Sequence, residues 1–248
     1  MRGVVRMILV GLNLWTYYLI LLVARLFTFG SSARSMALQQ WTMRRWSNGC
    51  LRILGARVEI EGKIPEPPYF LVSNDLGYVD ICLLGLRVGA RFVAKREVRG
   101  WPVIGRMCEA AGTLFIDRER RRDLLRMNEL IAGAMEEGRG VLLFPEGTSS
   151  GGEELLPFKP SLLDLPAKQG WPVHYATIHY ETPAGELPAG HFVCWWGGMP
   201  FIPHFRRLCE MRGFTARLRF GPTPVEADNR KELAARLREA MMKQFEPV

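Results

Sequence analysis

Histidine and cysteine are scarce: four of one and five of the other among 248 residues. The cysteines, Cys50, Cys82, Cys108, Cys194 and Cys209, are odd in number and scattered, with no Cys-x-x-Cys spacing. That pattern offers no zinc site and suits buried free thiols in a reducing compartment. All four histidines, His174, His179, His191 and His204, fall late in the chain. His174 and His179 lie five apart on a predicted strand and so point to opposite faces, so no metal pair is expected. Acidic residues are outnumbered 25 to 33, for a net charge of +8. Such a balance suits nucleic acid, an anionic membrane surface or an anionic substrate. No zinc spacing, aromatic-rich single-strand motif or basic recognition helix supports nucleic acid, which leaves the membrane and a phosphate-bearing ligand. Repeats and long internal linkers are also missing. With 48% hydrophobic and 23% charged residues, the chain is expected to build one real core plus an appendage.

The appendage comes first. Residues 7–30 are the most apolar stretch, preceded by Arg2 and Arg6. A basic start and an apolar run fit a signal peptide, but the run is long and aromatic, and no small-x-small cleavage site follows. About 20 apolar residues span a bilayer, and this run nearly qualifies, although Asn13 and Arg25 interrupt it. Trp15, Tyr17 and Tyr18 are residue types that prefer the interface. Residues 32–54 interleave Met36, Trp41, Met43 and Trp46 with Arg34, Arg44, Arg45 and Arg52, the pattern of an amphipathic interfacial helix. We therefore expect residues 1–54 to form a two-helix membrane anchor that need not cross the bilayer. The alternative is a helical hairpin packed on the domain's own core.

Residues 55–248 alternate strands and helices. Strands are expected at 57–61, 69–73, 91–95, 113–116, 140–144, 173–180 and 214–220, and a further one at 191–196 can pair with the sixth. Helices are expected near 81–86, 101–111, 123–137, 160–168, 201–211 and 228–244. The expected fold is α/β: a mostly parallel mixed sheet flanked by helices, with the N-terminal two-helix membrane anchor.

Three blocks carry the chemistry. The first joins a buried strand to a helix and reads Ser73-Asn-Asp-Leu-Gly-Tyr-Val-Asp80, with its two carboxylates, Asp75 and Asp80, separated by four residues. The second is Gly112-Thr-Leu-Phe-Ile-Asp-Arg118, and the third Leu143-Phe-Pro-Glu-Gly-Thr148. In this order and at these separations they resemble the glycerolipid acyltransferases typified by lysophosphatidic acid acyltransferases. The likeness covers roughly residues 62–172.

The resemblance implies transfer of a fatty acyl group from acyl-CoA or acyl-carrier protein to a lysophospholipid. The most direct expectation is 1-acylglycerol 3-phosphate giving phosphatidic acid at the cytoplasmic face of the inner membrane, with no cofactor beyond the thioester. It implies a general base in the first block, where the family reads Asn-His-x-x-x-x-Asp. Here the histidine position is Asp75, and Asp80 is the family's orienting carboxylate. An imidazole titrates near neutrality, whereas an ordinary Asp, at about 3.9, is a weak base toward an alcohol. Three readings of Asp75 stand together. It caps the following helix, or shares a proton with Asp80, or marks an altered or disabled form that still binds ligands.

For substrate binding the resemblance implies Asn74, Arg118 as a bidentate phosphate ligand, and Glu146, Gly147 and Thr148 around the acceptor's glycerol or phosphate. Lys95 ends a strand on the same rim and joins them. The family has Arg after the Thr of the third block, and this chain has Ser149. Against each assignment stands a plainer one: Arg118 as one member of a solvated basic run, and Glu146 as the cap of its own loop. A catalytically silent lipid-binding protein, and an acyltransferase acting on an aminolipid such as a lyso-ornithine lipid, are the alternatives. Trp195 and Trp196 read equally as the lining of an acyl-chain cavity or as core.

Overall fold

The computed structural model describes residues 1–27, 32–101, 104–117 and 121–248. Two helices come first, α1 (Arg2–Phe27) and α2 (Ser32–Leu54). They are followed by β1 (Ala56–Glu61), β2 (Phe70–Ser73), α3 (Tyr78–Gly85), β3 (Ala90–Lys95), α4 (Arg96–Arg99), α5 (Ile104–Ala110) and β4 (Leu114–Ile116). Next come α6 (Arg121–Glu136), β5 (Gly140–Leu143), a 3-10 turn at Pro160–Leu163 and α7 (Asp164–Gln169). The chain closes with β6 (Val173–Glu181), α8 (Ala189–Phe192), α9 (Phe201–Glu210), β7 (Phe214–Phe220) and α10 (Arg230–Met242).

Among the described residues the seven strands form one sheet, in the order β1-β7-β6-β2-β5-β3-β4. Every neighbouring pair is parallel except β6–β7. The central strands β2 and β5 are short and buried at every position, as expected of parallel strands covered on both faces. Toward the antiparallel edge the pattern becomes period two. Phe214, Ala216, Leu218 and Phe220 of β7 are buried. Between them Arg217 and Arg219 reach carboxylates of β1 and the C-terminal tail, with Arg217 Nη1 2.6 Å from Glu246 and Arg219 Nε 2.6 Å from Glu61.

Each sheet face carries its own apolar layer. Leu71, Leu142, Ala176, Ile178 and Leu218 pack with α2 and α3. Phe70, Val72, Val141, Leu143 and Tyr175 pack with α6, α7 and α10. The strand expected at 191–196 is not formed. The chain there makes α8 and then an irregular turn, because Trp195 N–H bonds the carbonyl of Leu76 (2.8 Å) rather than a strand partner.

α1 is long and apolar enough to cross a membrane, over Arg2–Ala24. One side of it is nonetheless docked on the domain. Arg2 donates to Glu210 O (2.6 Å) and Arg6 to Met211 O (2.6 Å), so both cap the carboxyl end of α9. Asn13, which broke the apolar run in sequence, faces α2 and donates to Trp46 O (3.0 Å) and Cys50 Sγ (3.3 Å). Gly49 lies against it, and a Cβ there would overlap the Asn13 amide. Tyr17 meets Trp41 edge-on further along the same interface. The other side of α1 exposes Val4, Ile8, Leu12, Trp15, Leu19 and Val23, one stripe at helical spacing. The side chain of Arg25 lies outside the described residues.

Candidate active site

Parallel strands end together, so the loops after β2, β5, β3 and β4 share one rim. β5 lies between β2 and β3, which puts the Glu146 loop beside Asp75 and the end of β3 beyond it. At about 4.8 Å per strand, Lys95 follows Asp75 at a strand-to-strand distance of roughly 10 Å. The two ends of this row differ in charge.

The first end is acidic. Asp80 is completely buried, in the first turn of α3. Its Oδ2 accepts the amides of Leu76 (2.6 Å) and Gly77 (2.9 Å), and its Oδ1 accepts the hydroxyl of Tyr180 (2.7 Å). The carboxylate that caps this helix is therefore Asp80, acting from inside the helix, and the N-cap position is Gly77. Gly77 takes φ 134°, and a Cβ there would press on the Trp195 backbone. Burial, and then the charge of Asp75, push the Asp80 carboxyl well above its usual range; the three donors pull it back.

Asn74 is 1% exposed and its amide is spent on the main chain of Ile178. Nδ2 donates to the carbonyl (3.0 Å) and Oδ1 accepts the N–H (2.7 Å), extending the β2–β6 ladder by a side chain. Asp75, half-buried, is gripped through its backbone from two sides. Its N–H donates to Glu146 Oε1 (3.1 Å) and its carbonyl accepts from Ser150 N (2.9 Å). The first and third blocks are therefore one hydrogen-bonded unit.

Glu146 is 2% exposed, and its other oxygen accepts the N–H of Leu156 (3.1 Å). Burial pushes its carboxyl up to about 7, with Asp75 adding to the rise, while the two backbone donors and Arg238 oppose it. Gly147, at φ 74°, makes the turn, and Thr148 is exposed at its tip. No group of three His, Cys, Asp or Glu side chains among the described residues is arranged to hold a metal ion.

The other end is basic. Lys95 is exposed where β3 pairs with Ile116 of β4. Arg96 meets Asp117 (3.4 Å), and Arg126 bonds Asp123 (3.0 Å) and the carbonyl of Phe115 (3.1 Å). Arg118 lies outside the described residues. His204 Nε2 faces Cys194 O (2.9 Å) and its Nδ1 faces the Tyr78 hydroxyl (2.8 Å); His179 Nδ1 faces Glu246 O (3.2 Å). Since a carbonyl only accepts, His204 carries its proton on Nε2 and takes that of Tyr78 on Nδ1. His174 is the second residue of β6, at the end of that strand away from the rim, and His191 lies beside Trp196.

Tyr180 and the two-sided grip on residue 75 were not visible in the sequence. Tyr180 lies 100 residues from Asp80, and no local pattern links them. Trp195 joins Tyr78, Trp101 and Phe201 in an aromatic wall next to the first block, while Trp196 leans away toward Gly151 and Gly190.

Residues 56–179 match the family model described as Acyltransferase. A lyso-ornithine lipid O-acyltransferase of Rhodobacter capsulatus is 35% identical over 193 residues, covering 75% of this chain and 69% of its own. A second, from Pseudomonas aeruginosa, is 32% identical over 82% of this chain and 78% of its own. The 1-acyl-sn-glycerol-3-phosphate acyltransferase of Neisseria meningitidis is 29% identical over 78% of this chain and 76% of its own. In fold, the chain superposes on the crystal structure of the Thermotoga maritima 1-acyl-sn-glycerophosphate acyltransferase with a TM-score of 0.64. That match covers 98% of both chains at 18% identity.

Proposed function

The chain belongs to the glycerolipid acyltransferase family and is an O-acyltransferase that moves an acyl group from a thioester to a lysolipid; we propose that its acceptor is a lyso-ornithine lipid. The observation that carries this reading is the identity of 35% and 32% to two lyso-ornithine lipid enzymes across three quarters or more of the chain. Site chemistry supports it. Asp75 and Glu146 meet at the cleft, and Ser149 stands where the family has an arginine. An ornithine head group carries an ammonium, which such an acidic pocket accepts more readily than a phosphate dianion. A second reading, 1-acylglycerol 3-phosphate as acceptor, is favoured by the Neisseria relative and by the basic end of the rim, where Lys95 and Arg118 would take the phosphate.

In the proposed reaction Asp80, fixed by Tyr180 and two amides, positions the first block and does not exchange protons with substrate. Asp75, with Glu146 behind it, takes the proton of the acceptor hydroxyl as its oxygen attacks the thioester carbonyl. The C–S bond breaks, the thiolate takes up that proton, and ester and free thiol leave. A lone Asp is a poor base, so a carboxyl held near neutrality beside it matters to the rate. Positioning supplies the rest. Gly147 and Thr148 line the acceptor side. Lys95 and Arg118 are then free to hold the anionic part of the donor, whether acyl-CoA or acyl-carrier protein.

Residues 1–54 act as the membrane anchor and 55–248 as the catalytic domain. Each half-exposed side chain in the α1 stripe gains on the order of 1 kcal/mol on entering lipid, enough together to hold the domain at a surface. Because α1 is docked along the domain, it embeds in one leaflet, and a soluble thioester places the cleft at the cytoplasmic side of the inner membrane.

The test is thiol release from an acyl-CoA series in nanodiscs, with lyso-ornithine lipid and lysophosphatidic acid as rival acceptors. The chain is compared with its Asp75→His variant. Preference for lyso-ornithine lipid by both supports the proposal; preference for lysophosphatidic acid overturns the acceptor. Turnover by the His variant alone makes this chain a disabled form and removes Asp75 as base. Lysolipid binding with no turnover by either supports the silent lipid-binding alternative.

A further inference from the structure

The last residues of the chain match none of the three blocks, yet they lie against the loop that follows the third. After α10, Gln244 Nε2 donates to Thr177 Oγ1 (3.1 Å) and to Arg219 O (2.9 Å). The Glu246 carboxylate lies between Arg217 (2.6 Å) and Arg219 (2.8 Å). Val248 N–H then donates to Gly152 O (2.9 Å), and its side chain joins the apolar cluster that contains Leu76. Gly152, at φ 82°, has no room for a Cβ, which would overlap the Val248 methyls and approach Leu76. The buried face of α10 belongs to the opposite layer, with Leu233, Leu237 and Met241. The tail therefore crosses the rim from one face of the sheet to the other at the cleft.

A second grip comes from α10 itself. Arg238 Nη2 donates to Leu155 O (2.7 Å), while Leu156 N–H donates to Glu146 (3.1 Å). Those two groups belong to one peptide unit. It is held between a guanidinium at its oxygen and a carboxylate at its nitrogen, each of which polarises the other's bond. The carboxylate in turn holds the amide of Asp75. A surface helix is thus linked to the catalytic position through one peptide and one side chain.

We propose that Arg238 and Val248 form a C-terminal clamp on the loop 146–156, and act as positioning residues that set the width of the acceptor side of the cleft. The proposal rests on reading the gap between residues 75–76 and 146–156 as the acceptor site. Arg238 fixes the far end of the loop and Val248 its middle. Releasing either lets the loop move away from Asp75, so acceptor affinity falls before the chemical step does.

The experiment compares the full chain with Arg238→Gln, Arg238→Lys and Val248→Gly in nanodiscs, by hydrogen–deuterium exchange and by thiol release. Arg238→Gln is expected to speed exchange in peptides covering 146–158 at least tenfold, with β5 still protected. KM for the lysolipid should rise several-fold, with a smaller fall in kcat as Glu146 loosens its hold on Asp75, and Arg238→Lys should recover part of both. Val248→Gly removes only a small side chain and decides the matter if Arg238→Gln fails to fold. Unchanged exchange in the loop, or a fall in kcat at constant KM, overturns the clamp. If the unsubstituted chain releases no thiol with any lysolipid, the functional reading fails, and the exchange result still decides whether the clamp exists.

Discussion

Replacing Glu146 with Gln offers a quantitative test of the buried carboxyl cluster. Glu146 is raised from 4.5 to about 7, chiefly by burial. A carboxyl raised on folding favours the protonated folded state. Its contribution is fully present below the unfolded value and is lost as pH climbs through the folded one. With those two values, ionisation costs the folded state about 0.8 kcal/mol at pH 5 and about 3.3 kcal/mol at pH 8. Gln cannot ionise, so this difference of about 2.5 kcal/mol should vanish from the variant. The Gln amide still accepts one backbone N–H and opposes the other, a penalty that does not change with pH. The measurement is thermal unfolding in detergent at pH 5 and pH 8. The variant should gain roughly 5–10 °C on the natural chain between the two pH values, whatever their offset at pH 5. Parallel pH profiles would show that Glu146 does not titrate in this range, and would remove it as a partner for Asp75 in proton transfer.

Three further outcomes follow from single contacts. Asn74→Leu leaves the N–H and carbonyl of Ile178 buried without partners; it should cost about 2–5 kcal/mol in denaturant unfolding, and a loss below 1 would mean water replaces the amide. Tyr180→Phe removes the hydroxyl that holds Asp80, lifting that carboxyl further; about 1–3 kcal/mol of stability should go with it, and unchanged unfolding would contradict the bond. Gly49→Leu forces Asn13 out of the α1–α2 interface, and is expected to increase protease cleavage between the two helices while leaving the unfolding of the sheet domain intact.

The three blocks were legible because each is a local event: a buried run, a turn and a charged residue within a few positions. The succession of strands and helices along the chain followed from the same periodicities, and α10 begins where Asn229 accepts two backbone amides, as a cap should. The misread strand at 191–196 is instructive. An apolar run before a double glycine suits a strand, but its residues are fixed singly, Trp195 by Leu76 and Trp196 by Gly190. Asn13 misled in the same way: in sequence it interrupts a membrane helix, and in the fold it pins two helices together. The capping role considered for Asp75 is performed by Asp80, because Gly77 bends the chain so that the carboxylate reaches back to the amides. The contacts of Trp195 and Asn13 leave no local signature, since each joins positions whose spacing in the chain is arbitrary, whereas Asp80 reaches amides only three and four residues before it.

Docking α1 through Arg2, Arg6 and Asn13 has a consequence for how lipid reaches the cleft. A helix tethered only by a flexible linker would let the catalytic domain ride at any height and tilt above the bilayer. If the stripe from Val4 to Val23 anchors the chain as proposed, the depth to which it sinks is expected to set the altitude of Asp75. The bilayer then serves as a ruler. Lipids whose reactive hydroxyl floats at the matching level meet the thioester without being lifted out, and those with it higher or lower do not.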